Sequence, residues 1–155
     1  MIHGINHVGI SVSNLDRSVK FYQNNFGMKV VMQSAFGGEQ FDKIFGLRGV
    51  SGKAALLKVG DMQLELFEFS RPSPKPLDPR RPVSDQGISH FCIEVTDIEG
   101  EYKRLTETGV SFHCPPIDFS GIAKATYGRD PDGNVFELRE IGGALGPEVA
   151  QTGQP

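Results

Sequence analysis

The chain has 155 residues, of which 38% are hydrophobic and 23% charged, with a formal net charge of −3. This is the length of one domain, or of two small modules around a shared core. It excludes a membrane-spanning segment, because no apolar run nears the roughly 20 residues needed, and its weak acidity leaves no basic, aromatic-lined face for nucleic acid.

In chain order, residues 1–7 read MIHGINH, without the basic then apolar pattern of a secretory leader, so a cytoplasmic location is expected. Alternation from Ile5 to Val12 predicts a strand. Val8, Ile10 and Val12 share its apolar face, and Ile5, His7, Gly9 and Ser11 the other. Leu15, Val19, Tyr22 and Phe26 then recur at helical spacing, with Ser13 and Asp16 spaced as a capping box and Gly27 as the terminating glycine.

After further strands, residues 37–52 (GGEQFDKIFGLRGVSG) read as an insertion with a short helix from about Phe41 to Phe45. Gly52 and Lys53 there lack the spacing of a phosphate loop. The segment DMQLELFE (61–68) is a strand with Met62, Leu64 and Leu66 on one face and Gln63, Glu65 and Phe67 on the other. Residues 70–87 carry prolines at 72, 74, 76, 79 and 82, too many missing amide donors for a central strand, and form an extended connector.

The first half then repeats. At an offset of 83, Ile5, His7, Ile10 and Val12 recur as Ile88, His90, Ile93 and Val95. Here Phe91, Ile93 and Val95 oppose Ile88, His90, Cys92 and Glu94. A second helix carries Ile98, Tyr102 and Leu105, with Thr96 and Glu99 as its capping pair and Gly109 at its end. At an offset of 72, GNVFELRE (133–140) lies over the Glu65 strand, pairing Glu65 with Glu137 and setting Phe136 and Leu138 against Val135, Glu137 and Arg139. The offsets differ by 11, which measures the first-half insertion. From residue 142 the tail has few core candidates and is expected to be mobile.

The two cysteines, Cys92 and Cys114, form no CxxC pair, so reduced thiols are expected, Cys92 as a small packed one. His3 and His113 have no repeat partner and read as structural or exposed. Solvent-facing polar residues on one side of a sheet are ordinary. Two histidines and two glutamates mid-strand at repeat-equivalent positions are not. If their face curls into a cup, the carboxylates need compensation, which a divalent cation supplies.

The pieces INHVGISVSNLDRSVKFYQNNFGM, LKVGDMQLELFEF, ISHFCIEVTDI and YGRDPDGNVFELRE resemble the vicinal oxygen chelate superfamily, which includes glyoxalase I, methylmalonyl-CoA epimerase, extradiol dioxygenases and fosfomycin and bleomycin resistance proteins. The resemblance implies an α+β fold of two βαβββ modules, residues 1–69 and 88–141, forming a cupped mixed sheet around a metal site within one domain, usually in a homodimer. It places the ligands on His7, Glu65, His90 and Glu137, for a divalent ion of the Ni, Co, Zn, Mn or Fe kind. It also implies a lyase or isomerase that abstracts a proton next to a carbonyl through a metal-stabilised enolate, with Glu137 as principal base and Glu65 as second acid/base.

Gln63 and Arg139, on the same face, are candidates for binding a thioester, hemithioacetal or other vicinal-oxygen substrate. After Glu65 the chain reads LFEFSRP, nearer the epimerase style, yet the epimerase base of the first module has no clear counterpart, Glu39 being displaced by the insertion. Arg71, Lys75, Arg80 and Arg81 read first as a solvated basic connector, and second as contacts for a CoA phosphate or glutathione carboxylate. The alternatives are an extradiol-type Fe(II) dioxygenase and a non-catalytic binding or resistance protein of the same fold.

Overall fold

The structure is a computed structural model that describes residues 1–142; the tail expected to be mobile lies outside the described residues from 143 onward. The chain forms two compact units, Met1–Arg80 together with Pro131–Asn134, and Arg81–Asp130 together with the chain from Val135.

In the first unit β1 (Val8–Ser11) leads into α1 (Leu15–Phe26), then β2 (Lys29–Gly37), α2 (Glu39–Phe45), β3 (Ser51–Val59) and β4 (Met62–Arg71). The sheet order is β1-β4-β3-β2, with β1 parallel to β4 and the other pairs antiparallel. Leu15, Val19 and Tyr22 of α1 are buried together with Leu57 of β3 and Leu64 and Leu66 of β4, which is the apolar stripe and apolar strand face that the spacing predicts. Gly27 ends α1 in the left-handed region (φ 63°).

The second unit runs β5 (Phe91–Glu94), α3 (Ile98–Glu107), β6 (Ser111–Phe112), β7 (Ile117–Asp118), β8 (Ala123–Arg129) and β9 (Val135–Ile141). The order β5-β9-β8-β6 repeats the first sheet, again with the first and last strands parallel. Ile98, Leu105, Phe136 and Leu138 are fully buried. The strand that should answer β2 is broken into β6 and β7, both paired to β8. Pro115 and Pro116 fall in the break, where two successive residues have no amide to donate.

Three local expectations need correction. The helix N-caps are Asn14 and Asp97, one residue later than Ser13 and Thr96: their carboxamide and carboxylate accept from the amides of Arg17 and Gly100. Ser13 instead receives the Arg17 guanidinium on its hydroxyl. The insertion helix starts at Glu39 rather than Phe41, behind Gly38 at φ 89°. His7 and His90 each precede their strand by one residue rather than lying within it.

Glu68 and Glu140 are repeat-equivalent and do the same work. Their carboxylates accept from the first amides of the helices, Leu15 at 2.6 Å and Ile98 at 2.9 Å, where the positive end of the helix dipole favours negative charge. The turn at Pro131–Asn134 is fixed in the first unit by Asp132. Its carboxylate accepts from the Ser13 amide (3.2 Å) and the Ser18 hydroxyl (3.3 Å), and pairs with Arg17 at 2.7 Å. Burial alone would raise the Asp132 pKa, but these bonds from Ser13 and Arg17 outweigh it and hold the carboxyl below its ordinary range.

Candidate functional site

Parallel pairing sets the site in each unit. Gly9 lies opposite Glu65 and Cys92 opposite Glu137, so the residue two before each, His7 or His90, stands on the same face next to the carboxylate. His7 Nε2 lies 3.1 Å from Glu65 Oε2, and His90 Nε2 lies 3.2 Å from Glu137 Oε2. The second pair is the more enclosed, with side-chain exposures of 25% and 18% against 41% and 20%.

The other ring nitrogen is held alike. His7 Nδ1 meets Asn6 Oδ1 at 2.9 Å, and His90 Nδ1 meets Ser89 Oγ at 2.9 Å. Asn6 and Ser89 are repeat-equivalent, and the repeat comparison passes over them because it matches only similar residue types. An amide oxygen only accepts, so Nδ1 of His7 carries the proton and, in the neutral ring, Nε2 turns a lone pair toward Glu65. A lone pair facing a carboxylate at 3.1 Å requires a cation between them, either a proton or a metal. Two ligands on adjacent positions of a divalent ion, each about 2.1 Å from it, are about 3 Å apart, so both pairs fit the metal implied by the donor set. Among the described residues no three His, Cys, Asp or Glu side chains form a group that holds an ion; each unit supplies a pair.

Gln63 and Arg139 stand on the same faces as Glu65 and Glu137, two residues before and two after respectively. Arg139 makes no ion pair among the described residues. Of the other residues singled out, Glu39 pairs with Lys43 on the surface of α2. Arg81 is held within the connector by the carbonyls of Asp85 and Gln86.

In the second unit a cavity of about 320 Å³ adjoins the His90–Glu137 pair, lined by His113, Cys114, Ile117, Phe119, Tyr127 and Glu137 among others. Tyr127 is opposite Glu137 in the β8–β9 register, and its ring lies on His90 with centroids 4.7 Å apart. Burial, then the negative charge of Glu137, raises its pKa, so the hydroxyl stays a donor. Tyr127 escapes a reading of the sequence because only the strand register brings it to the pair. His113, read as structural or exposed, has its pKa lowered by burial and by the Arg129 cation, and its Nε2 accepts from Arg129 Nε at 3.2 Å. Cys92 is exposed rather than packed, yet partial burial and the adjacent Glu137 push its thiol up to about 12, far from a thiolate.

Two duplicated βαβββ units, each presenting a histidine and a glutamate on the face away from its helix, define the class. The chain belongs to the Glyoxalase/Bleomycin resistance protein/Dioxygenase superfamily, whose model matches residues 4–138. It is similar to a lactoylglutathione lyase of Schizosaccharomyces pombe, 29% identical over 147 residues, covering 86% of this chain and 46% of that protein. A metallothiol transferase FosB of Shouchella clausii is 28% identical over 143 residues, covering 89% and 80% of the two chains. The chain therefore spans about half the length of the lyase it matches. Among solved structures, a glyoxalase family protein of Bacillus cereus superposes with a TM-score of 0.82 at 24% identity, covering 91% of this chain and 95% of that one, which shows the fold. No helix among the described residues is long and apolar enough to cross a membrane.

Proposed function

We propose that this protein is a metal-dependent lyase or isomerase, of the glyoxalase I or methylmalonyl-CoA epimerase type, that removes a proton from a carbon next to a carbonyl. The observation that carries the reading is the duplicated histidine–glutamate contact, 3.1 and 3.2 Å, with the far imidazole nitrogen held by the preceding side chain each time. In this reading His7 and Glu65 of the first unit and His90 and Glu137 of the second serve as ligands of a divalent ion, residues 1–141 act as one functional domain, and the protein is a cytoplasmic homodimer. When bound, the ion supplies positive charge beside two neighbouring substrate oxygens and so acidifies the adjacent C–H bond.

The side chains do the rest. Glu137 takes the proton and returns it to the other face or the neighbouring carbon, and Glu65 is the second acid/base. The Tyr127 hydroxyl donates to a substrate oxygen beside His90. Gln63 and Arg139 orient the remainder of the substrate, the guanidinium by pairing with an anionic group.

Metal analysis of the wild type beside Glu65→Ala and Glu137→Ala tests the site. Proton–deuterium exchange at the α-carbon of a 2-oxo hemithioacetal and of a 2-methyl acyl thioester, followed by NMR in D₂O, tests the chemistry. We expect stoichiometric metal in the wild type alone and exchange on one of the two substrates. Full metal content in both variants would remove the ligand assignment, and a metal-replete enzyme inert on both substrates would remove the enolisation. The 28% identity to a metallothiol transferase, FosB, favours a second reading, in which the same four residues serve transfer of a thiol to a small molecule. Consumption of a thiol in place of α-proton exchange would establish it.

A further inference from the structure

Five of the chain's 11 phenylalanines form one cluster in the first unit. Phe36 of β2, Phe41 and Phe45 of α2, and Phe67 and Phe69 of β4 pack with centroids 5.2 to 6.1 Å apart. Phe67 and Phe69 have the strand parity of Glu65, so the cluster continues the face that carries the histidine–glutamate pair. The Phe67 ring lies over β1 beside Gly9, opposite Glu65: a Cβ at Gly9 would meet it at 3.5 Å, an ordinary contact distance.

The scaffold does not require this surface. At the equivalent positions of the second unit, 72 residues on, Phe67 and Phe69 become Arg139 and Ile141, and nothing answers α2. Nor do all five rings act as core. Phe36, Val50 and Ala54 are buried, whereas Phe45, Phe67 and Phe69 are only partly so, Phe41 is 37% exposed, and α2 buries no residue at all. A half-wet aromatic surface beside a polar pair is the usual composition of a ligand site rather than of a hydrophobic core.

We propose that this surface binds an aryl group carried by the substrate next to its paired oxygens, and that Phe67 selects for it by edge-to-face packing. The proposal rests on the histidine–glutamate reading of the site, so its test has one arm that needs no metal. In the first arm, calorimetry on zinc-loaded protein compares mandelate with lactate, which present the same hydroxyl and carboxylate oxygens but differ in phenyl against methyl. The wild type should prefer mandelate by about 10-fold or more. Phe67→Leu, which keeps the apolar volume and the fold, should cut that preference to about 2-fold with lactate binding unchanged. Equal affinities in the wild type, or a preference unaltered in Phe67→Leu, would overturn the proposal.

The second arm titrates benzyl alcohol into metal-free protein with ¹³C-labelled phenylalanine. Saturable shifts of the Phe67 and Phe45 ring signals are expected, and their absence would overturn the proposal. Such shifts in a protein that binds no zinc would uphold the aryl surface and discard the metal reading instead.

Discussion

The two units share a skeleton and differ on the faces that carry the histidine–glutamate pairs. On the faces packed against the helices, Leu64 and Leu66 answer Phe136 and Leu138, all fully buried. On the opposite faces the resemblance stops at the histidine and the glutamate: Leu56 beside Glu65 answers Tyr127 beside Glu137, and Phe67 answers Arg139. Packing constrains the first face, because a core of native density tolerates little change in shape. The second face is free to diverge, and Phe67 in one half stands where Arg139 stands in the other. A duplicated scaffold thus carries two unlike faces, one on each unit.

The largest expected effect tests whether the two carboxylates are as unlike as their surroundings. Glu137→Gln should lower kcat by about 10³-fold and Glu65→Gln by about 10²-fold, each with an unchanged fold by circular dichroism. Equal losses would mean that both carboxylates act as ligands only. Next in size is a steric comparison. Gly52 and Ala123 occupy equivalent positions, but a Cβ on Gly52 runs into the Glu68 carbonyl oxygen and the Phe36 ring. Gly52→Ala should therefore destabilise by about 2 kcal/mol, whereas Ala123→Gly should cost about 1 kcal/mol, both read from urea midpoints.

Smaller still, Glu68→Ala and Glu140→Ala should each cost about 1.5 kcal/mol, equal within about 0.5 kcal/mol, since each orphans the first amide of a helix. The smallest effect is the pH dependence that Asp132 gives the first unit. Asp132 has a folded pKa below its unfolded value, so the folded state binds fewer protons, and its contribution is present above about pH 4 and lost as pH falls through the folded pKa. Asp132→Asn should lower stability at pH 7 by about 1 kcal/mol and leave a shallower acid limb. An acid limb identical to that of the wild type would show that the Arg17 pair contributes nothing.

Most of the fold was legible because duplication supplies an internal comparison. The repeated strand and helix starts, the paired Glu65 and Glu137, and the insertion all follow from two offsets in one chain. The caps slipped by one residue because Ser13 and Asn14, like Thr96 and Asp97, are adjacent residues with side chains suited to the same task, and only backbone geometry chooses between them. The β6–β7 break was written in Pro115 and Pro116 but had no counterpart to expose it. Tyr127, Asn6 and Ser89 were hidden for a different reason: their roles depend on strand register and on which imidazole nitrogen faces the carboxylate. The parity of Phe67 with Glu65 was already legible in the strand, but the packing of Phe36, Phe41 and Phe45, distant in the chain, into one cluster with Phe67 and Phe69 depends on the tertiary fold.

The interval of three residues between Glu65 and Glu68, kept between Glu137 and Glu140, has a consequence for how such chains change over time. An odd interval sends one carboxylate to the helix start and its neighbour to the opposite face. A single inserted or deleted residue between them would put the helix-binding acid on the face of the histidine–glutamate pair, or withdraw it from the helix. Length variation is therefore barred from this stretch and diverted to the loops. The surplus of 11 residues in the first half accordingly falls around α2, where new surface is added without disturbing the paired acids.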